Sequence, residues 1–320
     1  MRQEGIPVVI NKKAGRKSLF AVGLEALLIR PPFLHKEACD PEEKIGNKVE
    51  KAFSLEGMAT RPYLAHTIED VRNTVKGLVA QGERAIVVAG GDGTFNAAVQ
   101  AAAGTETALG LIPLGTANAL ALELDIPFSV REAARVIKTG KIRTIDLGKA
   151  GGHFFTMGAG MSFDAHVIKK VDHGSKWAMG SMAYIVHGIL EAARYPFPFL
   201  KIESEDPVPV RSEGYLVIVA NARYYGGHFK AAPRALMEDG LLDVVVMKQK
   251  GFWHLIRYLG AMRYRDITRL ADVDYFQCHR FRITSEPPVP VHVDAEVAEM
   301  TPCVFECVPK ALRVIVPAES

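Results

Sequence analysis

The sequence predicts a two-domain chain, with a doubly wound α/β domain over residues 1–145 and an antiparallel β-sandwich domain over residues 146–320. Three observations predict it. Short apolar strand-like runs alternate with amphipathic helical stretches up to about residue 145, as in a parallel sheet covered by helices on both faces. From about Asp146 strand-like segments follow one another between Gly, Pro and Asp-Gly turns. At 320 residues the chain is long enough for two buried cores.

In the first half, Pro7–Ile10 reads as a buried strand and Lys48–Met58 as a helix, with Val49, Ala52 and Phe53 on its apolar side. A strand at Thr60–Ala65 precedes a helix over Ile68–Gln81, where Val71, Val75, Leu78 and Val79 recur at helical spacing. Ala85–Ala89 is a continuous apolar strand, followed by a helix over Phe95–Ala103, a strand at Ala108–Pro113 and a helix over Ala117–Leu124. The Arg30-Pro31-Pro32 and Cys39-Asp40-Pro41 breaks mark 17–44 as an insertion or long connection.

In the second half, strands are expected at His153–Met157, Leu200–Glu203, Glu213–Ala220, Leu242–Lys248, His279–Thr284, Val289–Val293, Cys303–Val308 and Leu312–Val316. That last strand is free to return to the first domain. Two helices interrupt them, one with a stripe from Met182 to Ala193, the other with Phe252, Leu255, Ile256, Leu259 and Met262. Both stripes read first as core-packing faces, and lining a lipid site stays open.

Composition narrows the function. Lys and Arg number 39 and Asp and Glu 36, a net charge of +3, which gives no support for bulk nucleic-acid binding. The longest apolar stretch, Leu19–Ile29, contains Glu25 and falls short of the ~20 residues a spanning helix needs. Ile6–Ile10 is too short for a signal segment and reads as strand. The chain is therefore expected in the cytoplasm, or held at a membrane from one side. Four cysteines make no disulfide framework, and Cys303 and Cys307 read as same-side packing on a strand. Lys248, Lys250, Arg257, Arg263, Arg265 and Arg269 form a basic neighbourhood, a solvated face or a membrane contact. Trp177 and Trp253 read as packing residues, with bilayer anchoring as the other reading.

The strongest chemical signal is Gly90-Gly91-Asp92-Gly93-Thr94, directly after one strand and before a helix starting near Phe95. Glycines let the backbone approach a phosphate closely, and exposed amides with the helix dipole favour an anion there. Asp92 would bring a carboxylate beside that phosphate for a magnesium ion or a nucleotide hydroxyl. Residue order excludes both the Walker loop and the GxGxxG fingerprint. Leu114-Gly115-Thr116-Ala117-Asn118 repeats the strand–loop–helix placement, with Thr116 either a nucleotide ligand or a helix cap and Asn118 ordering the turn. Asn11-Lys12-Lys13-Ala14-Gly15, after the first strand, adds basic and amide donors. Three such strand-end loops converge on a ligand in an open α/β sheet.

These residues resemble the diacylglycerol kinase catalytic domain of bacterial lipid kinases and sphingosine kinases. Asn221–Gly227 and Pro233–Val244 resemble that family's central C-terminal block, and the resemblance spans nearly the whole chain outside 17–44. It implies an NAD kinase/phosphofructokinase-like first domain and a β-sandwich second domain. It further implies that Asn11–Gly15, Thr67, Gly90, Gly91, Asp92, Gly93, Thr94, Phe95, Asn96 and Thr116 hold ATP. Leu236, Asp239 and Leu241 match a Mg2+ site of one carboxylate and two main-chain carbonyls, although Asp239-Gly240 by itself reads as a hairpin turn. Asp146 matches an acid at the hinge between domains, with a plain turn residue as the equal alternative. Val291–Glu296 lines up with an Asp-Gly-Glu segment whose carboxylates take the proton of the lipid hydroxyl, which makes Glu296 and Asp294 candidate bases beside Asp92.

Two apart on a strand, Asp294 and Glu296 are expected on one face. Three positions depart from the family pattern: Lys12 stands for proline, Ala119 for aspartate, and Ala295 for the middle glycine, which implies an ordinary φ there. The reading is an ATP- and Mg2+-dependent lipid kinase at the inner face of the membrane, with diacylglycerol as first acceptor. An NAD kinase-like enzyme and a catalytically weak lipid- or nucleotide-binding protein are its rivals, and a homodimer is left open.

Overall fold

The computed structural model describes residues 5–12, 43–115, 117–165, 195–206, 209–227 and 229–318. The 182–193 stripe, Trp177 and Cys39 lie outside them, as does the 17–44 segment apart from its last two residues. The described residues form two compact units, one holding those up to Ile145 together with those from Lys310 on, the other holding those between Asp146 and Pro309.

In the first unit the strands β1 (Ile6–Asn11), β2 (Thr60–Ala65), β3 (Ala85–Gly90) and β4 (Ala108–Pro113) run parallel in the order β2-β1-β3-β4. Arg313 and Val314 pair parallel with Ala108 and Leu109 and extend the sheet. All six residues of β4 and five of six in β1 and β3 are buried, which is why these strands read as unbroken apolar runs. Helix α1 (Glu43–Leu55) packs with α5 (Val130–Thr139), and α2 (Ile68–Ala80) packs with α3 (Asp92–Ala102). A short α4 (Ala119–Glu123) follows β4.

Two boundaries differ from expectation. Helix α3 begins at Asp92 rather than Phe95, so the glycine-rich segment is a strand end, an N-cap and a first helical turn. An acidic residue in that turn favours helix onset, because it faces the positive end of the helix dipole. Helix α5, unanticipated, buries Val130, Ala133, Ala134 and Val136 on one stripe.

The second unit is built from antiparallel strands. Strand β5 (Lys141–Ala150) carries the chain into it and pairs with β6 (His153–Phe155). A separate six-stranded sheet consists of β7 (Gly158–Met161), β10 (Leu216–Ala220), β13 (Leu242–Met247), β14 (Val273–Cys278), β16 (Pro290–Val293) and β17 (Glu296–Met300), in the order β14-β13-β10-β7-β16-β17. Strands β8 (Phe199–Ser204), β9 (Arg211–Gly214), β15 (Arg280–Glu286) and the first half of β18 (Cys303–Val316) line up as β9-β8-β15-β18. Strands β11 (Tyr224–Tyr225) and β12 (Phe229–Lys230) make a small hairpin.

The apolar core between the two larger sheets includes Val217, Val219, Val244, Val246, Phe281 and Phe305, the last two stacked at 5.4 Å. Cys303 and Cys307 are buried in it, on the same side of β18. The opposite face of the six-stranded sheet presents Leu216, Ile218, Val245 and Met247 to a second core with helix α6 (Phe252–Tyr264), which contributes Tyr258, Ala261 and Met262. Strands β10 and β13 are therefore buried on both sides.

Three departures follow from tertiary pairing. Glu213–Ala220 is split into two strands, Cys303–Val308 and Leu312–Val316 join into one, and β7, β14 and β17 form in segments without a strong strand signature. In β7, Gly-Ala-Gly-Met has low strand propensity, but small residues are needed beneath neighbouring side chains.

Asp243 is the acid buried in β13, and the Tyr275 hydroxyl donates to its Oδ1. Burial pushes its carboxyl up to about 6, against the opposing hydrogen bonds from Tyr275 and Gln277. Between the ordinary 3.8 and about 6 the folded chain holds a proton that the unfolded chain has released. This group's contribution to stability is thus present below pH 4 and lost as pH rises to 6, a difference of roughly 3 kcal/mol. Asp243→Asn is expected to remove that fall. Urea unfolding of both proteins across this pH range checks it: parallel curves contradict the assignment.

Candidate functional site

In the first unit the parallel register brings the carboxyl ends of β1, β2, β3 and β4 to one sheet edge. The chain passes from β1 outward to β2 and then returns to β3 on the other side of β1, so β1 and β3 flank a topological switch point. Ligands of open α/β sheets bind at such a point. Asn11 ends β1 and Thr94 sits in the first turn of α3. Asn11 Nδ2 donates to Thr94 Oγ1 at 2.8 Å, so the two predicted segments meet across the switch point. Both residues are buried.

Gly91 is the N-cap of α3 and makes no side-chain cap hydrogen bond. A Cβ built on Gly91 would lie 3.0 Å from the Gly115 Cα, and one built on Gly115 would lie 2.6 Å from the Gly91 Cα. Glycine at both positions is what lets the two turns touch backbone to backbone. Asn118, at φ 48, clasps the second turn, with Oδ1 accepting from Gly115 N and Nδ2 donating to Gly115 O, each at 2.8 Å. The Asp92 carboxylate accepts from Leu120 N at 3.3 Å, reaching the first turn of α4. Thr67 is the N-cap of α2, in a reciprocal capping box with Asp70. Lys12 N donates to Ala65 O at 3.0 Å, and Phe95 and Asn96 are buried in α3. Lys13, Ala14, Gly15 and Thr116 lie outside the described residues.

The second unit joins its predicted segments through a buried polar chain. Asp146 N donates to Met237 O at 2.7 Å, and Asp146 Oδ2 accepts from Gly240 N at 2.7 Å. Asp146 thereby holds the 236–241 turn from inside. Asn221, fully buried, donates from Nδ2 to Asp146 O at 3.0 Å and to Thr156 O at 2.9 Å. Thr156 in turn donates from N and Oγ1 to Asp294 Oδ2, while Met157 N and Gly158 N donate to Asp294 Oδ1, at 2.8–3.0 Å. Burial pushes the Asp294 carboxyl up, opposed by these main-chain and hydroxyl donors.

Asp294 and Ala295 correct two expectations. Both have positive φ, 44 and 69, and form the two-residue loop between β16 and β17, where Val293 pairs with Glu296. They make a left-handed turn of the kind that favours Asn-Gly or Asp-Gly, so Ala295 does not have an ordinary φ. Asp294 and Glu296 are not same-face strand neighbours either, since the turn reverses the chain between them. Asp294 is tied to Thr156–Gly158, and Glu296 is exposed at the start of β17.

Asp239 is exposed, its Oδ1 accepting from Leu241 N at 3.0 Å and its Oδ2 from Gln277 Nε2 at 3.2 Å. It does sit in a turn, with Gly240 at φ 75, and Leu236 is exposed beside it. One carboxylate and main-chain carbonyls are hard oxygen donors, the class that suits Mg2+. No group of three or more His, Cys, Asp or Glu side chains clusters for a metal among the described residues.

One cluster had no signal in the sequence. The Tyr225 hydroxyl lies 2.5 Å from Asp164 Oδ2 and 2.6 Å from His292 Nε2, which is itself 3.2 Å from Asp164. When the phenol donates to the carboxylate, the imidazole must donate to the phenol through Nε2. Burial and the adjacent Asp164 carboxylate push the Tyr225 phenol well above its usual range. Gly160 makes the space: a Cβ there would lie 2.1 Å from both Asp164 Oδ2 and Tyr225 Oη. The three residues are 61 to 128 positions apart, beyond any local pattern.

A parallel α/β unit followed by an antiparallel sandwich, each carrying its own polar site, defines a two-domain class to which known proteins belong. Residues 33–150 match the family model described as the diacylglycerol kinase catalytic domain. Residues 157–316 match the YegS C-terminal NAD kinase beta sandwich-like domain. A diacylglycerol kinase of Mycobacterium tuberculosis is 30% identical over 255 residues, covering 78% of this chain and 82% of its own length. An uncharacterised protein of Synechocystis sp. is 29% identical over 247 residues, which is 75% of this chain and 56% of that protein. A diacylglycerol kinase structure from Bacillus anthracis shares the fold with a TM-score of 0.72 at 22% identity, over 99% of this chain and 98% of that one. This chain belongs to the family of diacylglycerol kinases and YegS-like lipid kinases.

Ala295→Gly is expected to stabilise the fold by about 0.5–1 kcal/mol, because a left-handed conformation costs alanine ~1–2 kcal/mol and glycine's greater unfolded entropy returns part of it. Asp294→Ala is expected to destabilise by several times that, since three main-chain N–H groups lose their acceptor at ~1–3 kcal/mol each. Chemical denaturation of the two variants should move the midpoint in opposite directions.

Proposed function

We propose that this lipid kinase transfers the γ-phosphoryl of ATP to a lipid hydroxyl, with diacylglycerol as first acceptor and Mg2+ as the accompanying ion. The observation that carries the reading is the Asn11–Thr94 contact across the β1/β3 switch point, beside two glycine turns in backbone contact. Asn11–Gly15, Gly90–Asn96, Thr67 and Thr116 hold the nucleotide. The open first-turn amides of α3 face phosphate oxygens, and Lys12 and Lys13 add positive charge. The Asp92 carboxylate accepts from Leu120 N.

Leu236, Asp239 and Leu241 would hold Mg2+, which neutralises phosphate charge when bound. Asp146 supports this turn through Gly240 N. Glu296 takes the proton of the acceptor hydroxyl as its oxygen bonds to the γ-phosphorus and the bond to ADP breaks. Asp294, occupied by four donors, fixes the turn that presents Glu296. No helix among the described residues is long and apolar enough to cross a membrane. A bilayer-borne acceptor would be met at the inner membrane face of the cytoplasm.

Purified protein incubated with γ-labelled ATP, Mg2+, diacylglycerol in detergent micelles and, separately, NAD is expected to label the lipid alone. Glu296→Gln should lower kcat by about 10²-fold or more, the scale of a general base, with an unchanged thermal transition. Label appearing in NAD, or full lipid phosphorylation by Glu296→Gln, overturns the respective assignment.

A further inference from the structure

Residues 248–265 contain five cations and no Asp or Glu. Lys248 pairs with Asp274 and Arg257 with Asp272. Lys250, Arg263 and Arg265 make no ion pair among the described residues. They flank α6 at its two ends, Lys250 over the Tyr215 ring at 5.2 Å and Arg263 over the Tyr264 ring at 5.6 Å. The inner side of the helix is spent on the second core through Tyr258, Ala261 and Met262. Its outer side leaves two large rings in water, with Trp253 79% exposed and Tyr264 59% exposed, and the Asp272-paired Arg257 lies between them. Phe252 packs edge-on against Trp253, with ring centroids 5.1 Å apart. Trp253, Ile256, Gly260 and Tyr264 recur at helical spacing on that side.

A helix that leaves a tryptophan in water, flanks it with cations and has no acid along its length is built for a surface that is apolar below and anionic above. We propose that the outer face of α6 is a membrane-docking surface, with Trp253 entering the headgroup region and Lys250, Arg263 and Arg265 meeting anionic lipid headgroups. Long cationic side chains extend along apolar surface while their charges stay in the polar layer. A second copy of the chain is a poor occupant, because a two-fold contact would set cation against cation. The inference rests on the reading that the acceptor lies in a bilayer, and it names the surface that would reach it.

Vesicle binding tests it without turnover. Replacing Trp177→Phe leaves Trp253 as the sole tryptophan of the two. Its emission is expected to shift to the blue, and to be quenched by brominated lipid, on phosphatidylglycerol-containing vesicles but not on phosphatidylcholine alone. In the otherwise native chain, the double variant Arg263→Gln, Arg265→Gln should lower partition about 25-fold, fivefold per cation, and raised salt should mimic it. Unmoved Trp253 emission, equal binding to phosphatidylcholine, or unchanged partition of the double variant each overturns the surface. Transfer to micellar lipid is measured in parallel. Docking without transfer leaves the surface standing and defeats the kinase reading; transfer by the double variant at native rate, with lost vesicle binding, supports both.

Discussion

The Asp294 carboxylate accepts four hydrogen bonds from Thr156, Met157 and Gly158, and the second unit is organised around that bond set. Three of the donors are main-chain amides at the start of β7, a strand with little intrinsic reason to form. Through Thr156 O the same chain of bonds continues to Asn221, and through Asn221 to Asp146 and the 236–241 turn. Each member is buried or half-buried, so an unmade bond costs its full desolvation, and the segments are held together as a set. A hairpin turn, a central strand and an exposed acidic turn are thereby fixed relative to one another by polar contacts rather than by apolar packing.

The first unit uses the opposite device. Its candidate site is made by backbone proximity, with Gly91 against Gly115 and α3 beginning without a side-chain cap. Side chains work around this gap rather than in it. Asn118 clasps its own turn, Thr67 caps α2, and Asp92 reaches to α4. The Asn11–Thr94 bond ties the end of β1 to the first turn of α3. An uncapped helix start keeps its amides available, which is the condition for holding an anion.

Much of the first unit was legible because its information is local. Buried parallel strands are continuous apolar runs, as in β4; β4 and the edge strand β2 match their expected limits residue for residue, and capping and glycine signals mark the turns. The Asp-Ala-Glu segment was misread for the same reason. Spacing of two residues implies one face only if the backbone stays extended, and a two-residue left-handed loop reverses it. The Tyr225–Asp164–His292 cluster was invisible because antiparallel pairing of β7 with β16 brings distant residues together over the space left by Gly160.

The sequence by itself determined the fold class, the glycine-rich turns and the set of acids, since periodicity and residue type are properties of short windows. Tertiary structure alone decided which acids are held and which are presented. Asp294 and Asp146 are drawn inside by main-chain donors from other segments, while Glu296 and Asp239 stay exposed. The reason is that a carboxylate's environment depends on which amides the strand register places beside it, and register is a long-range property of the folded chain.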